Sequence, residues 1–141
     1  MTLELVLRMA GASLIVLALF HAVLWRALGW GPEINRLSPL TARVFLVHTL
    51  FIAFVLLALG LLSLLAPELL VAPSDLARLL LMGIVLFWVA RLLMQPLVFD
   101  RAMTTGWAKS PLVRMGANVA WVTYVLVYGS ALMRQLHAVG R

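Results

Sequence analysis

Residues 44–66 read VFLVHTLFIAFVLLALGLLSLLA and contain no Asp, Glu, Lys or Arg. A helix needs about 20 mostly apolar residues to cross the hydrocarbon core of a bilayer, so this stretch is long enough to span it. Lipid offers no hydrogen bonds to a bare backbone, whereas a helix satisfies its own peptide groups. The stretch is therefore predicted to form a transmembrane helix.

Three further stretches of the chain share this composition, and together they predict an all-α integral membrane protein. Unlike the helices of soluble proteins, they are apolar on nearly every face. The predicted helices cover about residues 3–29, 39–66, 75–97 and 111–135. Because the connections are short, we expect residues 1–141 to form one domain, a four-helix transmembrane bundle with both termini on the same side.

The composition of the whole chain excludes several classes of protein. Hydrophobic residues make up 65% of the chain and charged residues 11%, against about 25% charged residues in an ordinary soluble domain. So few charged residues do not cover the surface of a soluble enzyme. Because the chain has no cysteine, a disulfide framework, a thiolate metal site and a cysteine nucleophile are all excluded.

Serine marks the start of three predicted helices. Serine precedes proline at 38–39 and 110–111, and it precedes aspartate at 74–75. Serine is a favoured N-cap, and proline is favoured in the first turn. The triplet Ser-Pro-Leu opens both the second and the fourth helix, so a weak two-plus-two helix repeat is an alternative to chance.

The charges lie mostly at the ends of the predicted helices and divide unevenly between the two sides of the membrane. The side with the loops between helices 1 and 2 and between helices 3 and 4 has seven basic and two acidic residues, a net charge of +5. The other side has four basic and three acidic residues, a net charge of +1. Because Lys and Arg are retained in the cytoplasm, we expect cytoplasmic loops and external termini in a bacterial inner membrane.

The basic loops also indicate what the protein meets at the membrane surface. Trp25, Trp30 and Trp107 lie toward these loops, where an aromatic belt is expected. Basic residues that flank spans interact with anionic lipid headgroups. We therefore expect the lipid bilayer, rather than nucleic acid, to be the partner of this positive charge.

A few polar residues lie within the predicted spans, where they are costly. Counted at about 1.5 Å per residue from the loop side, His21, His48, Arg91 and Asn118 lie about 12–15 Å deep, and Trp121 about 16 Å. Each of the four helices therefore contributes to one layer near the middle of the bilayer.

Helical periodicity places further polar and aromatic residues on the same faces as this layer. When these faces turn inward, they form a pocket that opens toward the loops. The predicted pocket residues are His21, Trp25, His48, Trp88, Arg91, Gln95, Arg114, Asn118 and Trp121.

These polar residues also have purely structural explanations. His21, His48 and Asn118 are suited to hydrogen-bonding a neighbouring helix. Arg91 has a stem long enough to reach the headgroups. Gln95 precedes a proline that either ends or kinks the third helix, and its amide is suited to satisfying the freed backbone group.

The pattern favours a non-enzymatic function, because no Gly-x-Ser-x-Gly or phosphate-loop motif is present and no carboxylate lies in the middle of a span. The leading hypothesis is a buried polar and aromatic layer that binds a lipid-like or amphipathic ligand, or that docks a partner subunit or a second copy of the chain. The first alternative is a redox protein with b-type haem or another porphyrin held by His21 and His48, with Arg91 near its propionates. The second alternative is a small transporter module.

Overall fold

The computed structural model describes residues 2–99 and 110–139, and the regular secondary structure in this part of the chain is helical. The helices are α1 Leu3–Ala27, α2 Gly31–Ile34, α3 Pro39–Leu65, α4 Glu68–Val71, α5 Asp75–Met94 and α6 Pro111–Val139, and a π-helical turn, Gln95–Phe99, continues α5. The stretches long and apolar enough to cross a membrane are Leu3–Ala27, Pro39–Leu65, Asp75–Phe99 and Pro111–Ala138. The predicted all-α membrane architecture is confirmed, and the four long helices agree with a four-helix bundle.

The outward faces of the long helices are apolar. The side chains of Val16, Phe54, Leu86 and Leu126, one from each span, are between 66% and 69% exposed. Large exposed apolar patches on soluble proteins are rare, whereas lipid tails cover such surface readily. These faces therefore fit contact with the hydrocarbon core of a bilayer.

α1 ends in a Schellman motif, two residues before the predicted end at residue 29. Gly29 has a φ of 68°, a conformation that residues with a Cβ atom rarely adopt. The N–H of Trp30 donates to the carbonyl of Trp25 at 2.9 Å, and the N–H of Gly29 donates to the carbonyl of Arg26 at 3.1 Å. The glycine thus lets the chain leave the helix axis before α2.

The three helices that follow a serine begin at residues 39, 75 and 111, where the sequence predicts them. Ser38 Oγ accepts a hydrogen bond from the N–H of Thr41 at 3.2 Å. Ser74 Oγ accepts one from the N–H of Ala77 at 3.1 Å. Both serines thus satisfy a backbone donor that has no partner inside the first helical turn.

Pro96 does not end the third span. The helix continues through the π-helical turn to Phe99, two residues beyond the predicted end at residue 97. Proline has no N–H to donate, and the wider π turn accommodates the missing helical hydrogen bond. Because the helix continues, residues after the proline stay close to the end of α5.

The contacts within the chain divide it into two compact units. The N-terminal unit is Arg8–Leu65 and contains most of α1 with α2 and α3. The C-terminal unit is Met1–Leu7 with Ala66–Arg141 and contains α4, α5 and α6. Each unit thus contains one pair of long helices, as the two-plus-two hypothesis expects. The repeat, and the grouping of residues 1–141 into one domain, stay predictions.

In the N-terminal unit, α1 and α3 run antiparallel and meet backbone to backbone at Gly11 and Gly60. A Cβ atom on Gly11 would lie 2.7 Å from the carbonyl oxygen of Gly60 and 2.6 Å from the nitrogen of Leu64. Beside this crossing, Arg8 Nη1 donates to the carbonyl oxygen of Leu64 at 2.6 Å. Small residues let membrane helices approach closely, and the arginine satisfies a carbonyl in the last turn of α3.

We predict that Gly11→Ala destabilises the protein by about 1–3 kcal/mol, because the added methyl group overlaps the backbone of α3. The thermal unfolding midpoint in detergent micelles, followed by circular dichroism, measures this loss. Gly83→Ala is the matched control, since a Cβ atom on Gly83 meets nothing within 4 Å. Equal midpoints for the two variants would contradict the close approach of α1 and α3.

In the C-terminal unit, α5 and α6 pack antiparallel along their length. Buried positions recur on both helices at intervals of three and four residues. They are Ala77, Leu81, Ile84 and Trp88 on α5, and Trp121, Tyr124, Tyr128, Ala131 and Gln135 on α6. This spacing keeps one stripe of each helix buried, as in left-handed pairs of helices.

Gln135 joins α6 to the segment that precedes α5. Its side chain is 1% exposed. Its Nε2 donates to the carbonyl oxygens of Leu70 at 2.9 Å and Ala72 at 2.8 Å, and its Oε1 accepts from the N–H of Ser74 at 3.3 Å. One amide thus satisfies three backbone groups where the chain leaves regular helix.

We predict that Gln135→Leu lowers the free energy of unfolding by about 1–3 kcal/mol, because buried carbonyls lose their donor. Gln135→Glu does not restore stability, because an ionised carboxylate donates no hydrogen bond. The control is Ser130→Ala, since the Ser130 hydroxyl is exposed and donates to the carbonyl oxygen of Val127 in its own helix. If Gln135→Leu and Ser130→Ala unfold in micelles at the same temperature, the hydrogen bonds of the Gln135 amide do not stabilise the protein.

Candidate functional site

Arg91 and Gln95 lie one helical turn apart at the end of α5. Arg91 Nη1 donates to Gln95 Oε1 at 3.0 Å, and the same oxygen accepts a hydrogen bond from Trp121 Nε1 of α6 at 3.3 Å. The first bond joins positions i and i+4, which face each other on a helix. Three of the predicted pocket residues, from two helices, therefore meet at one amide oxygen.

The guanidinium of Arg91 lies against two aromatic rings. Its central carbon is 4.3 Å from the ring centroid of Phe99 and 4.7 Å from that of Trp121. Phe99 reaches this position because the π-helical turn carries the helix past Pro96. Aromatic faces attract cations, so the two rings replace part of the hydration that the guanidinium loses inside the span.

Two further aromatic residues extend this layer toward the middle of the helix pair. The rings of Trp88 and Trp121 stack with centroids 5.5 Å apart and planes 17° apart. Trp88 also contacts Tyr124, with a centroid distance of 4.4 Å. The indole N–H of Trp88 is buried and has no hydrogen-bond acceptor among the described residues. We call Trp88, Arg91, Gln95, Phe99, Trp121 and Tyr124 the aromatic–arginine layer.

The aromatic–arginine layer is positively charged. Within residues 2–99 and 110–139, Arg78 forms a salt bridge with Asp75 at 3.1 Å at the opposite end of α5, and Arg91 forms none. The last acidic residue of the sequence is Asp100, which lies outside the described residues. A guanidinium creates a positive potential, which is strong where lipid and protein exclude water.

A shallow, open groove of about 550 Å³ lies along one face of α6. Arg114 and Asn118 line it and precede Trp121 by seven and three residues on the same helix. Both side chains are half-buried. The other lining residues are Pro111, Met115, Val119, Val122 and Thr123. The groove therefore combines a cation and an amide with an apolar wall.

The remaining predicted pocket residues belong to the N-terminal unit. His21 is half-buried, and its Nδ1 donates to the carbonyl oxygen of Leu17 in the same helix at 3.0 Å. Trp25 is half-buried, and the Arg26 guanidinium lies 4.8 Å from its ring centroid. His48 lies on an exposed face of α3. Thus the other six predicted residues lie in the C-terminal unit. Four of them meet in the aromatic–arginine layer, and Arg114 and Asn118 line the groove.

The described part of the chain offers few candidate ligands for a metal ion. No three His, Asp or Glu side chains there are grouped so as to hold a metal ion. Haem needs only one or two axial histidines, so its ligation by His21 and His48 stays a prediction. Trp107, which was assigned to the aromatic belt, lies outside the described residues.

Sequence reasoning missed two members of the aromatic–arginine layer. Phe99 follows Gln95 by four residues, but a helix that ends at the proline hides this spacing. Tyr124 follows Trp121 by three residues, so helical periodicity would have placed both residues on the same face of the helix. Gln135, the clamp at the other end of α6, was also missed, although a buried amide near the end of a span is unusual.

The arrangement is suited to holding an anion beside apolar surface. Arginine and asparagine donate hydrogen bonds to oxyanions, and the apolar wall and aromatic rings accommodate hydrocarbon. Comparisons of the chain with protein family models, with curated proteins and with solved structures find no match. The functional conclusion therefore rests on the geometry of this unit.

Proposed function

We propose that the protein is a non-enzymatic, multi-pass membrane protein whose aromatic–arginine layer binds a lipid-like ligand with an acidic head. The observation that carries this proposal is the environment of Arg91. Its cation lies in a membrane-spanning helix and is held by an amide and two rings rather than by a described carboxylate. Such a group attracts an anion that is itself soluble in the membrane.

The cost of Arg91 supports a role in binding. An arginine at the centre of a transmembrane helix costs about 2.5–3.5 kcal/mol on insertion scales. A guanidinium has five N–H donors, and one accepting side chain is described for it, Gln95. An acidic headgroup supplies a countercharge and further hydrogen-bond acceptors for this cation.

The charge distribution supports a cytoplasmic position for the loop between α1 and α3 and for the loop between α5 and α6. The N- and C-termini then lie outside, and the membrane is a bacterial inner membrane. The cytoplasmic leaflet is rich in anionic lipids, which favours an acidic ligand at the same side as Arg91. Orientation and ligand class are thus consistent with each other.

We predict that Arg91→Ala reduces the amount of acidic lipid retained by the purified protein by about tenfold. This is the change in affinity expected from the loss of one charge-assisted hydrogen bond. Native mass spectrometry from a mild detergent measures the retained lipid. Arg134→Ala, an exposed arginine on α6 at the other end of the pair, is the control. Arg91→Lys, which keeps the charge, retains more lipid than Arg91→Ala. Equal retention by the wild type and a folded Arg91→Ala variant would refute the proposal.

The absorption spectrum of the same preparation distinguishes a lipid ligand from the porphyrin of the alternative hypothesis. A protein expressed with haem supplied shows no Soret band under our proposal. A Soret band that disappears in His21→Ala or His48→Ala would show that the protein binds b-type haem and would refute the lipid ligand. A partner protein that co-purifies in stoichiometric amount, without bound lipid, would instead favour the hypothesis that the layer docks a partner subunit.

The orientation is tested with single cysteines, because the chain has none of its own. Asn35, between α2 and α3, and Pro73, before α5, are both exposed. We expect a membrane-impermeant maleimide to label the Asn35→Cys variant only after permeabilisation, and the Pro73→Cys variant in intact spheroplasts. The opposite pattern would reverse the proposed orientation.

A further inference from the structure

The groove along α6 lies on one continuous face of that helix. Its lining positions, residues 111, 114, 115, 118, 119, 122 and 123, recur at the spacing of successive helical turns. Trp121, Tyr124 and Gln135 lie on the face that packs toward α5. The groove is therefore a second surface of α6, adjacent to the aromatic–arginine layer.

The polar groups of the groove are concentrated toward the start of α6. Arg114 and Asn118 follow Ser110 by four and eight residues, or about 6 Å and 12 Å along the helix axis. Deeper in the groove, the hydroxyl of Thr123 donates to the carbonyl oxygen of Val119 at 2.8 Å, so its donor is used within the helix. Hydrogen-bond donors thus face one end of the groove, while the other end is apolar.

The apolar wall is open to the surroundings of the helix. Met115 is 59% exposed, Val119 60% and Val122 42%. They follow one another along α6 and make a strip parallel to the helix axis. In a bilayer, an exposed strip in this position touches acyl chains and not water.

The charge at this end of α6 is complementary to an anion. No Asp or Glu occurs after Asp100 in the sequence, so α6 contains none. The guanidinium of Arg114 forms no hydrogen bond or salt bridge with residues 2–99 or 110–139, and only its backbone N–H donates, to Ser110. Arg91, held against Trp121, adds a second positive charge on the neighbouring helix.

We infer that this groove binds one anionic phospholipid of the surrounding bilayer, an inference that rests on the proposed function. Arg114 and Asn118 donate hydrogen bonds to the headgroup phosphate, and an acyl chain lies along Met115, Val119 and Val122. Arginine pairs with phosphate through two parallel hydrogen bonds. The described lining residues include no Asp or Glu to pair with the ammonium group of a zwitterionic lipid, and the arginine repels that group. The open apolar strip distinguishes this site from one for a free phosphate ion.

The test compares phosphatidylglycerol with phosphatidylcholine on the full-length protein in mixed micelles, with native mass spectrometry as the readout. We expect Arg114→Gln to reduce the preference for phosphatidylglycerol by about tenfold, and Asn118→Leu to reduce it less. Arg134→Gln, the same charge change on an exposed site of α6 outside the groove, leaves the preference unchanged. Inorganic phosphate does not displace the lipid; displacement would identify a site for a soluble anion and overturn the inference.

A second variant tests the acyl-chain strip and does not depend on the headgroup residues. Val119→Trp fills the groove from an exposed position, and we expect it to reduce retention of both lipids. Retention unchanged in both Arg114→Gln and Val119→Trp would overturn the inference. If Arg91→Ala still lowers the retained acidic lipid in that case, the proposed function stands and the ligand lies elsewhere. If Arg91→Ala has no effect either, both conclusions fail.

Discussion

Lipid supplies no hydrogen-bond partners, and this constraint determines how the polar side chains of the spans are held. Gln95 accepts hydrogen bonds from Arg91 and Trp121, and Gln135 bonds three backbone groups beside α5. Thr49 donates back to a carbonyl of its own helix. Each of these bonds replaces water that the bilayer excludes. The helix pairs therefore depend on a few polar contacts within extensive apolar surface.

The two buried glutamines lie at opposite ends of the interface between α5 and α6. Gln95 bonds Trp121 at one end, and Gln135 bonds the segment before α5 at the other. Apolar side chains alone allow one helix to slide along another, whereas a buried amide has partners in only one register. The register in turn positions Trp121 against Arg91 and holds the cation in one place. Under the proposed function, binding of a ligand would then order fewer groups.

Composition and local chemistry predicted the four spans and the serine caps, because both depend on residues close in sequence. Tertiary contacts were harder to predict. Gly11 and Gly60 carry no polar signal, although they permit the closest approach of two helices. Phe99 joined the site because a π-helical turn replaced the expected helix end. Periodicity also did not distinguish His48 from its neighbour Thr49, which is the buried residue of the two.

The pairing of Arg91 has a consequence for the order of events during synthesis. A chain is made from its N-terminus at about 5–20 residues per second, so Trp121 follows Arg91 after a delay on the order of seconds. During that delay the cation has contacts with Gln95 and Phe99, which belong to its own span. The third span thus carries local partners for its arginine while it enters the membrane, and the fourth span completes the enclosure afterwards.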